Sequence, residues 1–399
     1  MFCTGCAVCV DICKSSAVKM VNDNEGFLYP SIDNNKCTRC GLCERVCPYN
    51  AEKKSLINSV SCYMAKNKSV TRQIESSSGG IFTEFAVKIL SNGGVVYGAA
   101  FDCKFNVAHI KIDSVEDISK LRKSKYVQSN TIGIYKSVRE QLKIGKTVLF
   151  SGTPCQTTAL YEFVGEKLRE NLYIIDLICH GVPSPMVWED FISCISEMYG
   201  KKTSEVNDIQ FKYKDDTYTW THPGFMIEWT DSTKYLDYSN NSWYENGFLG
   251  NLYVRPSCHN CRYKSLSSKS DITIGDFWGC QGLYPDFYDP KGVSVICVKS
   301  EKGANLFSSV AGEFMYKNIP IEQIIENNRR LIESSIPNKK RSSFWNEYLK
   351  IRKKDISMCN MENLVKKYTR IGLFTRYNRK VKNAIKRIIK TLVDCKSRE

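Results

Sequence analysis

Two cysteine runs at the head of the chain constrain its fold more than any other stretch. Cys3, Cys6, Cys9 and Cys13 have C-x2-C-x2-C-x3-C spacing. Cys37, Cys40, Cys43 and Cys47 repeat it, and Pro48 follows. Thiolates at i, i+3 and i+6 wrap one iron–sulfide cube in a tight loop. A zinc site pairs two C-x2-C halves and has no use for a third cysteine three residues on.

This is the run that bacterial ferredoxins use for two [4Fe–4S] clusters, in which the fourth cysteine of each run ligates the other cluster. The implied sets are Cys3, Cys6, Cys9 with Cys47, and Cys37, Cys40, Cys43 with Cys13. Lys14 stands where the pattern usually has proline, and only two residues precede Cys3; neither departure removes a ligand. Residues 1–55 are expected to form this small domain, which moves single electrons and has no substrate chemistry of its own. Ala51 to Asn58 reads as the boundary behind it.

Nineteen cysteines, odd in number and spaced for metal, point to a reducing compartment rather than to disulfides. The opening M-F-C-T-G-C is not a signal peptide, and no run approaches the roughly 18 apolar residues of a membrane span. The expected location is cytoplasmic. The formal charge of +15 is concentrated at the end. Lys339 to Glu399 carries 19 Lys and Arg against 5 Asp and Glu, so the body before it is close to neutral.

Three stretches carry further cysteines. Thr147 to Ala159, T-V-L-F-S-G-T-P-C-Q-T-T-A, reads as a buried strand, a turn and a helix start, with Pro154 at the first helical position. Cys155 then sits in the first turn, where the helix dipole lowers a thiol's pKa. Leu172 to Ile178 is a second continuous apolar strand and ends in Cys179-His180-Gly181. Cys258-His259-Asn260-Cys261 adds a C-x2-C pair. Together Cys155, Cys179, Cys258 and Cys261 suffice for a third [4Fe–4S] cluster; isolated buried cysteines, or a zinc half-site using His259, explain them too. Cys62, Cys103, Cys194, Cys280, Cys297, Cys359 and Cys395 read as ordinary.

Ser77-Ser78-Gly79-Gly80 opens a helical pattern running through Phe82, Phe85, Ala86, Ile89 and Leu90. Free N–H groups there suit a phosphate or a flavin, and serine capping alone also explains the sequence. No G-x-G-x-x-G or P-loop is present. Ser124 to Ser129 reads as an exposed polar segment, with Lys125 either a solvated lysine or a contact to an anionic cofactor. Asp271 to Gly279 reads as a strand and turn ending in Asp276, an acid, a cofactor ligand or a turn residue.

In order along the chain, S-S-G-G-I-F-T (77–83), S-K-Y-V-Q-S (124–129), F-S-G-T-P-C-Q (150–156), D-L-I-C-H-G-V-P-S-P (176–185), R-P-S-C-H-N-C-R-Y (255–263) and D-I-T-I-G-D-F-W-G (271–279) resemble the beta-subunit family of coenzyme F420 hydrogenase/dehydrogenase. The resemblance spans roughly residues 60–315, with the dicluster ferredoxin domain fused in front. It implies a mixed α/β domain, placed at 60–335, that binds FAD and a [4Fe–4S] cluster on Cys155, Cys179, Cys258 and Cys261. It implies hydride transfer at the flavin and single-electron transfer through clusters. Ser78, Gly79, Gly80, Lys125, Thr153 and Gln156 fall in the matching motifs and are the expected flavin site. His180, Asp276 and Lys125 are the catalytic candidates. Relatives reduce a deazaflavin or a chlorophyll side chain, serve sulfite and glutamate chemistry, or resemble enzymes of surface-polysaccharide pathways.

The remainder, 336–399, is expected to be a basic helical tail. Tyr377, Val381, Ala384, Ile385, Ile388 and Leu392 share one helical face between lysines and arginines. Such a helix suits an anionic membrane surface at the inner face, the protein body or a partner; nucleic acid is not expected. The expected function is an iron–sulfur flavoprotein oxidoreductase acting on a small-molecule substrate or a redox partner protein. The alternative is a non-catalytic electron-transfer subunit of a larger complex.

Overall fold

Four apolar runs, Val95–Phe101, Val148–Gly152, Leu172–Leu177 and Ile272–Asp276, lie side by side as parallel strands. In the computed structural model, which describes residues 2–51, 54–354 and 356–369, they form the centre of an eight-stranded mixed sheet. Val107–Ile112 closes one edge antiparallel. Ser294–Val298, Ser61–Asn67 and Phe314–Asn318 extend the other.

Both faces of the sheet are covered, which is why its strands read as continuous apolar runs. One face packs Val96, Leu149, Ile175 and Ile272 against helices Ile81–Ser91 and Glu301–Val310. The other packs Val95, Tyr97, Phe150 and Ile174 against helices Ile134–Lys143 and Pro154–Val164. The expected strand–turn–helix around Cys155 is present: Thr153 is the N-cap, Pro154 the first helical residue, and Thr153 and Gln156 form a capping box.

The N-terminal segment carries short helices Val8–Ile12 and Leu42–Arg45 and a hairpin of Val18–Asn22 with Leu28–Ile32. It is docked, not loosely tethered. Cys6, Val8 and Val46 join the second sheet-facing core. The Asp11 carboxylate accepts the N–H groups of Gly133, Tyr135 and Lys136.

A three-stranded antiparallel sheet, Val206–Tyr213, Gly224–Trp229 and Lys234–Tyr238, forms a further layer. Its core receives Phe344, Trp345, Tyr348, Met361, Leu364 and Val365. The first part of the basic segment, helices Arg341–Lys354 and Met358–Thr369, is therefore built into the body. The amphipathic stretch from Tyr377 to Leu392 lies outside the described residues.

Two expectations are corrected here. Ser124 to Ser129 is not an exposed loop: every residue in it is half-buried or buried, pressed between the main sheet and the three-stranded one. Cys62 and Cys297 are not isolated: they oppose each other on adjacent strands, with sulfurs 3.6 Å apart. Their separation in sequence, 235 residues, hid the pairing.

Candidate redox site

The neighbouring strands Val148–Gly152 and Leu172–Leu177 pair Gly152 with Asp176. The turns carrying Cys155 and Cys179 therefore leave the sheet together at its carboxyl end, where open α/β sheets place their sites. A single-turn helix, Pro256–Asn260, brings Cys258 to the same place, held by the Arg255 N–H on the Val182 carbonyl at 2.9 Å. Gly181, at φ 148°, is required there: a Cβ would sit 2.7 Å from Val254 Cγ1 and 3.2 Å from Cys258 Cβ.

Cys155, Cys179, Cys258 and Cys261 line one cavity, whose wall is completed by Phe2, Thr4 and Tyr49 of the N-terminal segment. Burial, reinforced by mutual repulsion of the thiolates, pushes Cys155 up to about 11 and Cys179 to about 12; Cys258 is raised further still. The lowered pKa expected of Cys155 is thus overturned, because desolvation outweighs the helix terminus and the Thr153 hydroxyl beside the sulfur. Thiols like these ionise when a metal takes the proton's place. His259 is absent from the cavity wall, and its Nδ1 is committed to the Ser335 carbonyl at 2.9 Å.

Electrostatic repulsion links the N-terminal cysteines both within and between the two runs. Cys9 is destabilised as a thiolate chiefly by burial, then by Cys3 and Cys47. Burial and then Cys3 and Cys43 do the same to Cys47, and Cys40 lies within electrostatic reach of Cys13. Cys6 lies within electrostatic reach of Cys155. Cys40 is exposed.

A second cavity of about 280 Å³ opens beside the first. Thr153, Leu177, Ile178 and Val182 line both. Its wall includes Ser78, Gly80, Lys125, Gln156 and Asp276 of the expected site, together with Thr83, His109 and Lys212. Both His109 nitrogens are engaged. Nε2–H donates to the Ser151 carbonyl at 2.9 Å, so Nδ1 accepts the Ser129 hydroxyl at 2.7 Å. Burial lowers the His109 pKa to about 4. Lys125 is half-buried with its ammonium on the carbonyl of Arg122 at 2.6 Å, and desolvation lowers it to about 7. Lys212 pairs with Asp276. Burial opposes its charge, but Asp276 and Tyr126 outweigh that and raise its pKa. Arg122 through Lys125 also line an outer cleft of about 760 Å³.

Two polar atoms of this wall are buried without a partner: Thr83 Oγ1 and Arg122 Nε. Such atoms in native proteins are rare and call for an explanation, a ligand among them.

Residues 145–322 match the family model for the C terminus of the coenzyme F420 hydrogenase/dehydrogenase beta subunit, and residues 2–51 match the 4Fe-4S dicluster domain. The chain thus carries the C-terminal domain of the coenzyme F420 hydrogenase/dehydrogenase beta subunit behind a dicluster domain. The first of these segments contains both cysteine-bearing strands and the Cys258–Cys261 pair. The dicluster domain makes iron–sulfur electron transfer the general role of this chain. A subunit of the F(420)H(2) dehydrogenase of Methanosarcina mazei is 24% identical over 333 residues, covering 78% of this chain and 83% of that protein. Coenzyme F420-dependent sulfite reductase of Methanocaldococcus jannaschii is 24% identical over 321 residues, 77% of this chain; the match spans only 46% of that protein. A chain of the xenon-derivatised F420-reducing [NiFe] hydrogenase complex of Methanosarcina barkeri aligns with a TM-score of 0.45 at 18% identity, covering 71% of this chain and 92% of that one. Among the described residues, no helix is long and apolar enough to cross a membrane.

Not every expected residue reaches the second cavity. Gly79 is absent from the cavity wall. Its N–H donates to Ser294 Oγ at 2.9 Å, and a Cβ there would stand 2.6 Å from the Ala65 carbonyl, so it serves the close approach of the turn to the sheet. His180 lines the cysteine cavity and not the neighbouring one, with Nε2 on Asn251 Oδ1 at 2.8 Å. Lys212 was not foreseen. It occupies an irregularity in the pairing of its strand, with φ 53°, that turns the side chain inward. No local residue pattern announces that bulge.

Proposed function

We propose that the chain is an iron–sulfur flavoprotein oxidoreductase. It would exchange electrons between the N-terminal clusters and a two-electron substrate through a third cluster and FAD. The observation that carries the reading is the shared wall of the two cavities. Thr153, Leu177, Ile178 and Val182 separate a site lined by four cysteines from one lined by serines, glycine and lysines. The cysteine site in turn abuts the N-terminal domain at Phe2, Thr4 and Tyr49.

The four thiols supply the donor set of a [4Fe–4S] cluster. The N-terminal ligand sets would be those the ferredoxin spacing implies: Cys3, Cys6, Cys9 with Cys47, and Cys37, Cys40, Cys43 with Cys13. The second cavity would hold the flavin, with Thr83 Oγ1 and Arg122 Nε as unpartnered donors on its wall. A flavin exchanges two electrons with a hydride and passes them on singly, which clusters alone cannot do. Around it, Ser78 and Gly80 would sit at the start of helix Ile81–Ser91. Lys212 would hold a proton at Nζ, kept there by Asp276. The relatives that use coenzyme F420 favour a deazaflavin as substrate; no residue of the wall speaks for a sugar-pathway substrate.

The test is iron, sulfide and flavin content of anaerobically purified protein, with Cys155→Ala beside it. About twelve irons and one FAD, falling to about eight irons in the variant, are expected of three four-iron clusters. About eight irons and no flavin in both would leave the alternative, a carrier subunit without its own substrate chemistry.

A further inference from the structure

Lys212 and Lys214 leave the three-stranded sheet from one segment and go to different partners. Lys212 pairs with Asp276. Lys214 lies just beyond strand Val206–Tyr213, is buried, and meets main-chain oxygens instead. Its ammonium donates to the carbonyls of Gln73 at 2.6 Å, Ser78 at 3.1 Å and Lys291. Three N–H donors thus meet three acceptors. The acceptors come from helix Val70–Ile74, from the Ser77–Gly80 turn and from the turn after Asp289.

Ser78 lines the second cavity; Lys214 lines only the outer cleft and touches the cavity wall through that carbonyl. The approach behind the turn is close. A Cβ on Gly292, at φ 125°, would stand 2.6 Å from the Ser78 carbonyl carbon. The other contacts of the turn are neutral. Ser77 Oγ accepts the Ser124 N–H at 2.6 Å, Ser78 Oγ donates to the Val293 carbonyl at 3.0 Å, and the Gly79 carbonyl accepts the Asn67 N–H at 2.8 Å. Lys214 adds a charge to this set.

That charge is poorly supported. Burial opposes it most, and Lys123 and Lys212 repel it. Asp276 and Asp289 attract it, but Asp276 is engaged with Lys212, and Asp289 with Lys66 at 3.3 Å and Lys291 at 3.2 Å. Glu75, Asp102, Asp208, Lys120, Arg122 and Lys125 share the outer cleft, where Glu75 is paired with Arg122. The balance pushes the Lys214 pKa down to about 7.

We propose that Lys214 is a positioning residue for the flavin, its ammonium fixing the turn that carries Ser78 and Gly80 to the cavity wall. The inference rests on reading the second cavity as the flavin site. The neutral amine has two N–H donors and a lone pair, so on deprotonation one of the three carbonyls faces a lone pair. The turn then loosens, and with it the start of helix Ile81–Ser91 that it leads into. Flavin affinity is therefore complete while Lys214 is charged and falls as pH rises through its pKa.

The test is an anaerobic flavin fluorescence titration of the full, iron-loaded, flavin-free chain from about pH 6 to about pH 9, spanning that ionisation. Wild type, Lys214→Arg and Lys125→Met are compared. Wild-type affinity is expected to fall about tenfold across the range, the worth of one hydrogen bond. Lys214→Arg stays charged throughout and is expected to give a flat profile. Lys125, also lowered to about 7, lines the cavity itself; Lys125→Met is expected to keep the wild-type fall, whatever its absolute affinity. A fall that persists in Lys214→Arg, or vanishes in Lys125→Met, overturns the proposal. If Lys214→Arg fails to fold, Lys125→Met decides. A wild type that binds no flavin at any pH defeats the flavin reading and this inference with it; one that binds flavin with a flat profile defeats this inference alone.

Discussion

The Asp11 carboxylate accepts the Gly133 N–H at 2.7 Å, joining the N-terminal domain to the start of helix Ile134–Lys143. The same carboxylate takes the N–H groups of Tyr135 and Lys136 at 3.0 and 3.3 Å. It caps a helix from more than a hundred residues away. Asp11→Ala would leave three N–H groups of that terminus without their anion. At about 1.5–3 kcal/mol for a hydrogen bond to a charged group, a loss of about 3 kcal/mol is expected. Thermal unfolding of the anaerobic protein would show it; an unchanged midpoint would mean the docking does not depend on this cap.

Thr83 reports on the second cavity. Its hydroxyl is buried and unpartnered, so Thr83→Val should leave the stability of the flavin-free protein unchanged or raise it. If the hydroxyl meets FAD, flavin affinity should fall about tenfold, the worth of one neutral hydrogen bond. Flavin fluorescence titration separates the two outcomes, and unaltered affinity would remove Thr83 from the flavin site.

Lys212, buried, and Asp276, half-buried, form an ion pair. Lys212→Met strands the carboxylate, at an expected cost of about 3 kcal/mol. Lys212→Met with Asp276→Asn should recover part of it. Urea midpoints of the four proteins give the coupling; a double variant no better than the sum of the singles would deny that the pair acts as a unit.

His109 supplies the pH dependence. Its folded pKa, lowered by burial to about 4, lies below the ordinary value near 6.5. The unfolded chain therefore binds the extra proton first. The stability His109 contributes is complete above pH 6.5 and is lost as pH falls toward 4. By pH 5 the loss should reach about 2 kcal/mol. His109→Gln should flatten urea midpoints measured between pH 7 and 5. A slope identical to wild type would mean other groups, such as the half-buried His180, carry it.

What the sequence determined was whatever local spacing can encode. The two C-x2-C-x2-C-x3-C runs announce a dicluster domain because one cluster is wrapped by residues three apart. The parallel strands are legible because burial on both faces demands unbroken apolar runs, and Thr153-Pro154 announces its helix because capping is local. Which distant residues share a wall is decided only by the tertiary fold. The short helix Pro256–Asn260 brings Cys258 to the cavity of Cys179, and antiparallel strand pairing sets Cys62 against Cys297. A bulge turns Lys212 toward Asp276, and desolvation reverses the pKa shift that the helix terminus alone would give Cys155. Arg255 reads in the sequence as one more basic residue; only the docking of the N-terminal domain, through the Cys3 and Leu28 carbonyls, closes water out around it.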